Sequence, residues 1–370
     1  MGLGKGTLES LVMSKLASFY RGKRVLVSGH TGFKGGWLSL WLNHLGAQVY
    51  GWSLPAAASP NFHETMPNGL FSGEFLGDIR NEEIGRHALL QAEPEIVFHL
   101  AAQALVRRSY HEPLDTFSVN VLGTASLLER LRERGKPCTV VVVTSDKCYE
   151  NVERTKGYNE DDPLGGHDPY SASKAGAELV VQSWRRSFFQ PQNLGSLVSA
   201  RGGNVIGGGD YAEDRIIPDS VRALLRGEAI SLRNPSATRP WQHILDCLSG
   251  YLLLAQKVSE ADVDLQLMGA FNFGPSESAN RSVEDLVKAF FHIWPGEKKT
   301  CGDIQHPHEA HFLGLDTEKA HKLLGWSPRW DFDTAIKETA LWYRARHVDR
   351  VSNMSQFSID QIIKYETVQA

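Results

Sequence analysis

The fold is decided by a stretch near the N-terminus, Lys23–Gly35, which reads KRVLVSGHTGFKG. Its first half is a short apolar run typical of a buried strand, and its second half is a glycine-rich turn. Gly29, Gly32 and Gly35 have the spacing GxxGxxG, and a helical apolar pattern follows them. Glycines at these positions let the backbone turn tightly and approach a pyrophosphate at the start of a helix. The stretch therefore predicts dinucleotide binding in preference to a glycine turn without a ligand.

The next predicted strand leaves the choice of dinucleotide open. Its end, Val49–Leu54, reads VYGWSL and contains no acidic residue to hold an adenosine ribose. It also contains no arginine for the 2′-phosphate of NADP. Asp78, in the sequence GDIR, is a candidate contact on the adenine side of the cofactor.

The rest of the chain alternates between short apolar strands and amphipathic helices, which favours a parallel sheet covered on both faces. We predict an α/β fold, a Rossmann-type doubly wound parallel sheet with a smaller α/β C-terminal substrate lobe. The dinucleotide-binding domain is predicted at 1–203 and 244–277, the lobe at 204–243 and 278–348, and a loosely held tail at 349–370. Strands are expected at 23–28, 47–52, 74–78, 95–100, 138–144, 195–201 and 270–273, and helices at 36–45, 82–92, 115–134, 170–189 and 244–258.

Composition excludes several classes of protein. The chain has 370 residues, 42% of them hydrophobic and 22% charged, so it can bury a large core and is not expected to be disordered. The formal net charge of −4 argues against a nucleic-acid binder. The four cysteines form no CxxC pair and are expected to be reduced. The sequence shows no signal-peptide core and no run of about 20 apolar residues, so we predict a cytoplasmic protein.

Two segments carry candidate catalytic residues. Tyr170 and Lys174 are four residues apart, which places both on one face of a helix. An ammonium group beside a phenol favours the phenolate, so we expect a lowered pKa for Tyr170 and a role as a base toward a sugar hydroxyl. Ser145, Asp146 and Lys147 follow the most apolar strand, at the end where open α/β sheets bind ligands. Ser145 is a candidate hydrogen-bond partner for a substrate hydroxyl.

These motifs, taken in order over residues 23–205, resemble the extended short-chain dehydrogenase/reductase family. The resemblance implies NAD as the cofactor and a homodimer formed through the helices at 115–134 and 170–189. It also implies a set of cofactor contacts: Gly29, Thr31, Gly32, Phe33, Lys34, Gly35, Asp78, Ile79, Ala101, Ala102, Gln103, Asn120, Tyr170 and Lys174.

Within that family the chain looks like the nucleotide-sugar 4,6-dehydratases, which carry an acid–base pair after the serine or threonine of the catalytic strand. The pair is usually Asp-Glu, whereas this chain has Asp146-Lys147. The resemblance implies that Asp146 is the acid at O6 of the sugar and Lys147 the base at C5. For these roles Asp146 must be protonated, which burial favours, and Lys147 must be neutral, which a nearby Lys174 ammonium favours.

The Asp-Lys form and two further segments, Arg201–Asp210 and Arg233–His243, resemble the dehydratases that act on CDP-glucose. This implies CDP-glucose as the substrate, with no nucleic-acid or membrane partner, and a product used for a deoxysugar of a bacterial surface polysaccharide such as the O antigen of lipopolysaccharide. The residues it implies for substrate binding, besides Ser145, are Asn204, Arg233, Arg239, His243 and Glu309.

Three other interpretations remain open at this stage. A dehydratase for another nucleotide-glucose, or an NAD-dependent epimerase or reductase, would share the same motifs; an epimerase or reductase would release no water. A dinucleotide-binding sensor would bind the cofactor without turnover.

The cluster His306, His308, Glu309 and His311 could suggest a metal site. We predict no metal, because the proline at 307 disfavours the helix that would align these side chains.

Overall fold

The computed structural model describes residues 15–57, 59–261, 265–300 and 313–368. A parallel sheet of seven strands forms its centre, in the order β11-β6-β5-β4-β1-β2-β3. The predicted doubly wound α/β fold is confirmed. The strands of this sheet are β1 Arg24–Ser28, β2 Gln48–Ser53, β3 Phe71–Leu76, β4 Ile96–His99, β5 Thr139–Val143, β6 Leu197–Gly202 and β11 Ala270–Phe273.

Side chains of alternate residues on each central strand enter two separate cores, one on each face of the sheet. In β5, Val141 and Val143 belong to one core and Val140 and Val142 to the other. All five residues of β5 are buried, as expected for a strand covered by helices on both faces. This two-sided burial explains why the sequence of the strand is continuously apolar.

The helices that cover the sheet agree with the expected ones to within a few residues. Prediction and structure coincide for Glu82–Ala92, where Asn81 caps the N-terminus by accepting a hydrogen bond from the amide of Ile84. The α-helices are Phe33–His44, Glu82–Ala92, Val106–His111, Pro113–Phe117, Gly123–Arg134, Pro169–Trp184, Ile216–Leu225, Ile244–Glu260, Val283–Ile293, Phe332–His347 and Met354–Thr367.

The helix expected at 115–134 is interrupted by a π-helical turn. Pro113–Phe117 and Gly123–Arg134 are α-helical, and Ser118–Leu122 between them is a π-helix. Such turns are frequent at functional sites. Asn120 lies in this turn with its side chain buried, and its contacts are described below.

Six short strands from the later part of the chain pair in three small sheets. In the first, β7 Val205–Ile206 is parallel to β10 Gln242–His243. In the second, β9 Thr238–Pro240 is antiparallel to β12 Asn280–Ser282, and in the third β8 Ile230–Leu232 is parallel to β13 Lys298–Thr300. These strands come from the two segments that the sequence assigns to a separate lobe.

The end of the chain departs from the prediction. The expectation of a loosely held tail at 349–370 is wrong, because Met354–Thr367 is a helix packed on the core. Ile362 and Tyr365 have no exposed surface. The Tyr365 ring contacts the Trp41 ring edge-on, with ring centroids 5.6 Å apart. Burial of these two large side chains stabilises the segment against fraying.

In the part of the chain that the structure describes, no helix combines the length and the apolar character needed to cross a bilayer.

Candidate active site

The glycine-rich turn lies where the strand order reverses, between β1 and its neighbours β4 and β2. Gly29 has φ +78°, and a Cβ atom there would lie 2.8 Å from the amide nitrogen of Ala101, beyond β4. A Cβ on Gly35 would lie 2.1 Å from the carbonyl oxygen of Gly29. Only glycine fits either position, and ligands of open α/β sheets bind in this crevice.

The helix that follows the turn presents an open N-terminus. Phe33–His44 begins after Gly32, no side chain caps it, and its first turn contains no acidic residue. Its first amide groups and its dipole therefore favour an anion. The turn and this helix start form the cradle that a pyrophosphate requires.

Ser53 takes the place of the missing acidic residue at the end of β2. Thr31 Oγ1 lies 2.8 Å from Ser53 Oγ and donates a 2.8 Å hydrogen bond to the carbonyl of Leu54. These contacts tie the turn to the second strand. They provide hydroxyl groups, and neither a carboxylate nor a guanidinium, at the position that normally distinguishes the two dinucleotides.

Asp78 is held by an intramolecular ion pair. Its Oδ2 accepts a 2.6 Å hydrogen bond from Arg80 Nη2, and its Oδ1 accepts from the amide and Nε of Arg80. Hydrogen bonding to Arg80 lowers the pKa of Asp78. Ile79, beside it, is buried.

Asn120 joins the loop after β4 to the helix that carries Tyr170. Its Oδ1 accepts a 2.8 Å hydrogen bond from the amide of Gln103, and its Nδ2 donates to the carbonyl of the same residue. Nδ2 also donates to Ser173 Oγ at 2.8 Å. The buried amide thus fixes the segment of Ala101, Ala102 and Gln103 against that helix.

Tyr170 and Lys174 lie one turn apart on the helix Pro169–Trp184, and both are buried. Asp168 caps this helix by accepting hydrogen bonds from the amide and hydroxyl of Ser171. The Lys174 ammonium lies 3.5 Å from the carbonyl oxygen of Val143, at the end of β5. Lys174, and Tyr170 through its hydrogen bond with Ser145, therefore lie beside the end of β5.

The lowered pKa expected for Tyr170 is wrong. Burial raises the pKa of Tyr170 to about 12, against a smaller lowering by a hydrogen bond with Ser145. Burial, and next the positive charge of Lys34, lowers the pKa of Lys174 to about 8. Desolvation disfavours both charged forms and outweighs the expected stabilisation of the phenolate.

Ser145, Asp146 and Lys147 form a short turn directly after β5. Ser145 Oγ donates a 2.8 Å hydrogen bond to Asp146 Oδ1 and accepts one from the amide of Lys147. Asp146 is buried, whereas Lys147 is partly exposed. The Ser145 hydroxyl is hydrogen-bonded to Tyr170, and the Asp146 carboxyl acts on the same tyrosine through its charge.

The side chains of Lys34 and Asp146 lie next to two consecutive glycines, Gly202 and Gly203, at the end of β6. A Cβ on Gly202 would lie 3.6 Å from Lys34 Nζ, and a Cβ on Gly203 would lie 3.3 Å from Asp146 Oδ2. Lys34 thus reaches from the glycine-rich turn toward the catalytic groups. The sequence gives no sign of this contact, which depends on the packing of β6 beside β5.

The predicted substrate residues differ in how exposed they are. Asn204, just after β6, and Arg239 are partly buried, and Arg233 is exposed. Arg233 Nη2 donates a 2.8 Å hydrogen bond to Asp214 Oδ1. Glu309 and the histidines of the 306–311 cluster lie outside the described residues.

The assignment of His243 to substrate binding is wrong. Its ring has no exposed surface and packs on Trp330 with ring centroids 4.6 Å apart. Its Nδ1 accepts a hydrogen bond from the amide of Leu245 and so caps the helix Ile244–Glu260. Burial lowers its pKa to about 3, so the ring is neutral. His243 supports the helix and does not line the site.

Sequence reasoning missed two arginines, one close to Tyr170 and one paired with the carboxylate that also binds Arg233. Arg215 pairs with Asp210 at 2.8 Å, and its charge acts on Tyr170. Arg107 pairs with Asp214 at 3.1 Å, so Asp214 joins Arg107 and Arg233. Arg107 and Arg233 are far apart in sequence, and only the fold brings them together.

The comparisons with known proteins agree with this geometry. The model of a family described as GDP-mannose 4,6 dehydratase matches residues 26–339. CDP-glucose 4,6-dehydratase of Salmonella typhimurium is 45% identical over 333 residues, 89% of this chain and 92% of that protein.

Two solved structures share the fold. UDP-glucose 4-epimerase of Thermus thermophilus, in complex with NAD, has a TM-score of 0.74 at 25% identity and covers 86% of this chain and 98% of its own. A dTDP-glucose 4,6-dehydratase of Bacillus anthracis, also in complex with NAD, has a TM-score of 0.71 at 20% identity and covers 89% of this chain and 99% of its own.

Proposed function

The chain belongs to the GDP-mannose 4,6-dehydratase family of NAD-dependent enzymes, and from this premise we propose that it converts CDP-glucose to CDP-4-keto-6-deoxyglucose with loss of water. The observation that carries the proposal is the 45% identity to a CDP-glucose 4,6-dehydratase over nearly the whole of both chains. The Ser145-Asp146-Lys147 turn beside Tyr170 and Lys174 supplies the acid–base groups that the reaction requires.

The crevice fits NAD. The cradle at Gly29–Gly35, in which a Cβ at Gly29 would strike the backbone beyond β4, suits the pyrophosphate. Asp78 and Ile79 would hold the adenosine side of the cofactor, and Ala101, Ala102, Gln103 and Asn120 would contact the rest of it. These residues would hold NAD, whose nicotinamide would supply the hydride acceptor for C4 of the sugar and the hydride donor for C6 within one turnover.

The protein side chains move the protons. Tyr170, assisted by Lys174 and hydrogen-bonded to Ser145, removes the O4 proton. The resulting 4-ketone acidifies C5, and Lys147 removes the C5 proton. Asp146 protonates O6, so that water leaves and the C5–C6 double bond forms; Lys147 then returns the proton to C5.

The nucleotide diphosphate needs cationic partners. We assign this role to the lobe at 204–243 and 278–348, with Asn204, Arg233 and Arg239 as contacts. Arg107 and Arg215 are added to these because they lie beside Asp214 and Tyr170. Guanidinium groups match phosphate oxygens in geometry and charge.

We also propose that the enzyme is a cytoplasmic homodimer. The helices Pro113–Phe117 and Pro169–Trp184 pack together and leave large apolar side chains uncovered, with Leu114 at 85% exposure and Leu179 at 55%. Apolar residues grouped in this way on two adjacent helices are typical of an association surface. The product would supply a deoxysugar for a surface polysaccharide such as O antigen.

The decisive experiment uses the purified protein with NAD and, separately, the glucose conjugates of CDP, dTDP, GDP and UDP, with product masses measured. Loss of one water from CDP-glucose alone is the expected result. Loss of water from a different conjugate would keep the dehydratase and overturn the cytidine assignment. Isomers without water loss would indicate an epimerase, and cofactor binding without any product would indicate a sensor.

A further inference from the structure

A buried carboxylate lies one helical turn beyond Lys174. Glu178, on the same helix, accepts hydrogen bonds from Thr144 Oγ1 at 2.5 Å, Ser199 Oγ at 2.8 Å and Arg201 Nη2 at 2.8 Å. The Glu178 and Arg201 side chains are only 4% and 5% exposed. Arg201 and the hydroxyl donors outweigh the opposing effect of burial and lower the pKa of Glu178, which is therefore ionised.

The arginine of this pair extends the contacts to the other end of the catalytic turn. Arg201 Nη1 donates a 2.8 Å hydrogen bond to Tyr149 Oη, and its guanidinium lies 4.9 Å from the centre of the Tyr149 ring. Tyr149 Oη in turn donates to Asn272 Oδ1 at 2.8 Å. The network thus joins β5, β6 and β11 to the helix that carries Tyr170.

Thr144 and Tyr149 flank the turn that bears Ser145, Asp146 and Lys147. Thr144 is bound to Glu178 and Tyr149 to Arg201, so both ends of the turn are attached to one ion pair. Burying such a pair usually contributes little to stability, because desolvation offsets the attraction. Its presence here is better explained by the geometry that it fixes.

We propose that Glu178 and Arg201 are positioning residues, whose ion pair holds the segment Thr144–Tyr149 against the helix that carries Tyr170 and Lys174. The inference rests on the proposed function, since it concerns the same site. Neither residue contacts the reacting atoms in this scheme. Catalytic geometry tolerates little displacement, because a shift of about 1 Å can cost up to about a hundredfold in rate.

The carboxylate also has an electrostatic role. Lys174 is faced by the charges of Lys34 and Glu178, by the thiol of Cys148 and by the ring of His99. Cys148 and Glu178 favour the ammonium form of Lys174 and oppose burial and Lys34. Burial raises the pKa of the Cys148 thiol, so Glu178 is the partner that carries a negative charge. Loss of the Glu178 charge should therefore deprotonate Lys174 at a lower pH.

The first test removes one hydroxyl without changing shape. Thr144→Val should lower kcat about tenfold to a hundredfold with little change in KM, and Thr144→Ser should restore it. Thr339→Val is the matched control, because the Thr339 hydroxyl is also buried but, within the described part of the chain, bonds to its own helix, at the carbonyl of Ala335. Wild-type kcat in Thr144→Val, or an equal loss in the Thr339 control, would overturn the proposal.

The second test uses the pH profile of kcat/KM. Glu178→Gln should move the alkaline limb to lower pH, whereas Thr144→Val should leave the limb in place. An unmoved limb in a folded Glu178→Gln protein would refute the electrostatic role. Wild-type protein that fails to dehydrate any nucleotide-glucose would overturn the proposed function itself, which distinguishes the two failures.

Discussion

Tyr365, close to the C-terminus, donates a 2.8 Å hydrogen bond through its hydroxyl to Oδ1 of Asp246. Asp246 lies in the first turn of the helix Ile244–Glu260 and is fully buried. Its Oδ1 also accepts a 2.6 Å hydrogen bond from the amide of Arg329, while its Oδ2 has no hydrogen-bond partner within the described ranges. The carboxyl group thus fastens the C-terminal helix to the core.

This carboxyl group should make stability depend on pH. Burial raises the pKa of Asp246 to about 6, above the unfolded value near 3.8, so its contribution to stability is present below pH 4 and is lost as pH rises through 6. Asp246→Asn removes this dependence. The variant should gain up to about 3 kcal/mol over wild type between pH 4 and pH 8, measured by urea unfolding. A constant difference between the two proteins across this range would contradict the shift.

Tyr170→Phe should lower kcat by about a hundredfold to ten-thousandfold, because the proton on O4 then has no acceptor. The protein should remain folded, since only a hydroxyl is lost. The measurement is product formation from CDP-glucose, with Tyr50→Phe on β2 as a control of equal chemistry away from the site. If Tyr170→Phe retained activity within a few-fold of wild type, another group would have to be the base.

Asp146→Asn should separate the two halves of the elimination. The amide keeps the shape of the side chain but cannot protonate O6, so water release should slow by about a hundredfold or more. Exchange of the C5 proton with solvent should continue, because Lys147 is unchanged. Mass spectrometry in deuterated water reads both steps. Simultaneous loss of exchange and water release would show that Asp146 acts before the elimination.

Lys147→Ala should abolish incorporation of solvent deuterium at C5, because the amine is the proposed base. Lys156→Ala is the control, since Lys156 is an exposed lysine nearby in sequence. Mass and NMR analysis of the product would locate the deuterium. Exchange and water loss at the wild-type rate would exclude Lys147 as the base.

Leu179→Glu should convert the proposed dimer to a monomer, because it places a charge on the exposed apolar face of the helix Pro169–Trp184. Leu90→Glu is the matched control, because Leu90 is 70% exposed on a different helix, Glu82–Ala92. Sedimentation velocity gives the mass of each species. A wild-type protein that sediments as a monomer would refute the dimer.

Much of the fold could be predicted from the sequence because the signals are local. The apolar run of β5 and the capped helix Glu82–Ala92 need only their own residues to be recognised. The C-terminal helix is not predicted from the sequence, because the residues that hold it in place, Trp41 and Asp246, lie far away in the chain.

The candidate site divides in the same way. Tyr170 and Lys174 could be proposed from their spacing together with the strand-end segment Ser145–Lys147, and the glycine-rich turn from its place between strand and helix. The pKa of Tyr170 could not, because desolvation by surrounding elements decides it. His243 was misassigned for a similar reason, since its role depends on Trp330 packing over it.

Short patterns in the sequence predict the alternating strands and helices of the central sheet, the glycine-rich turn and the candidate proton-carrying side chains, because each pattern lies within neighbouring residues. Which charges face one another depends instead on how distant segments pack. Lys34 beside Lys174, Arg201 beside Glu178 and Arg107 beside Asp214 are each distant in sequence. Electrostatic energies depend on distance and burial in space, and a linear pattern contains neither.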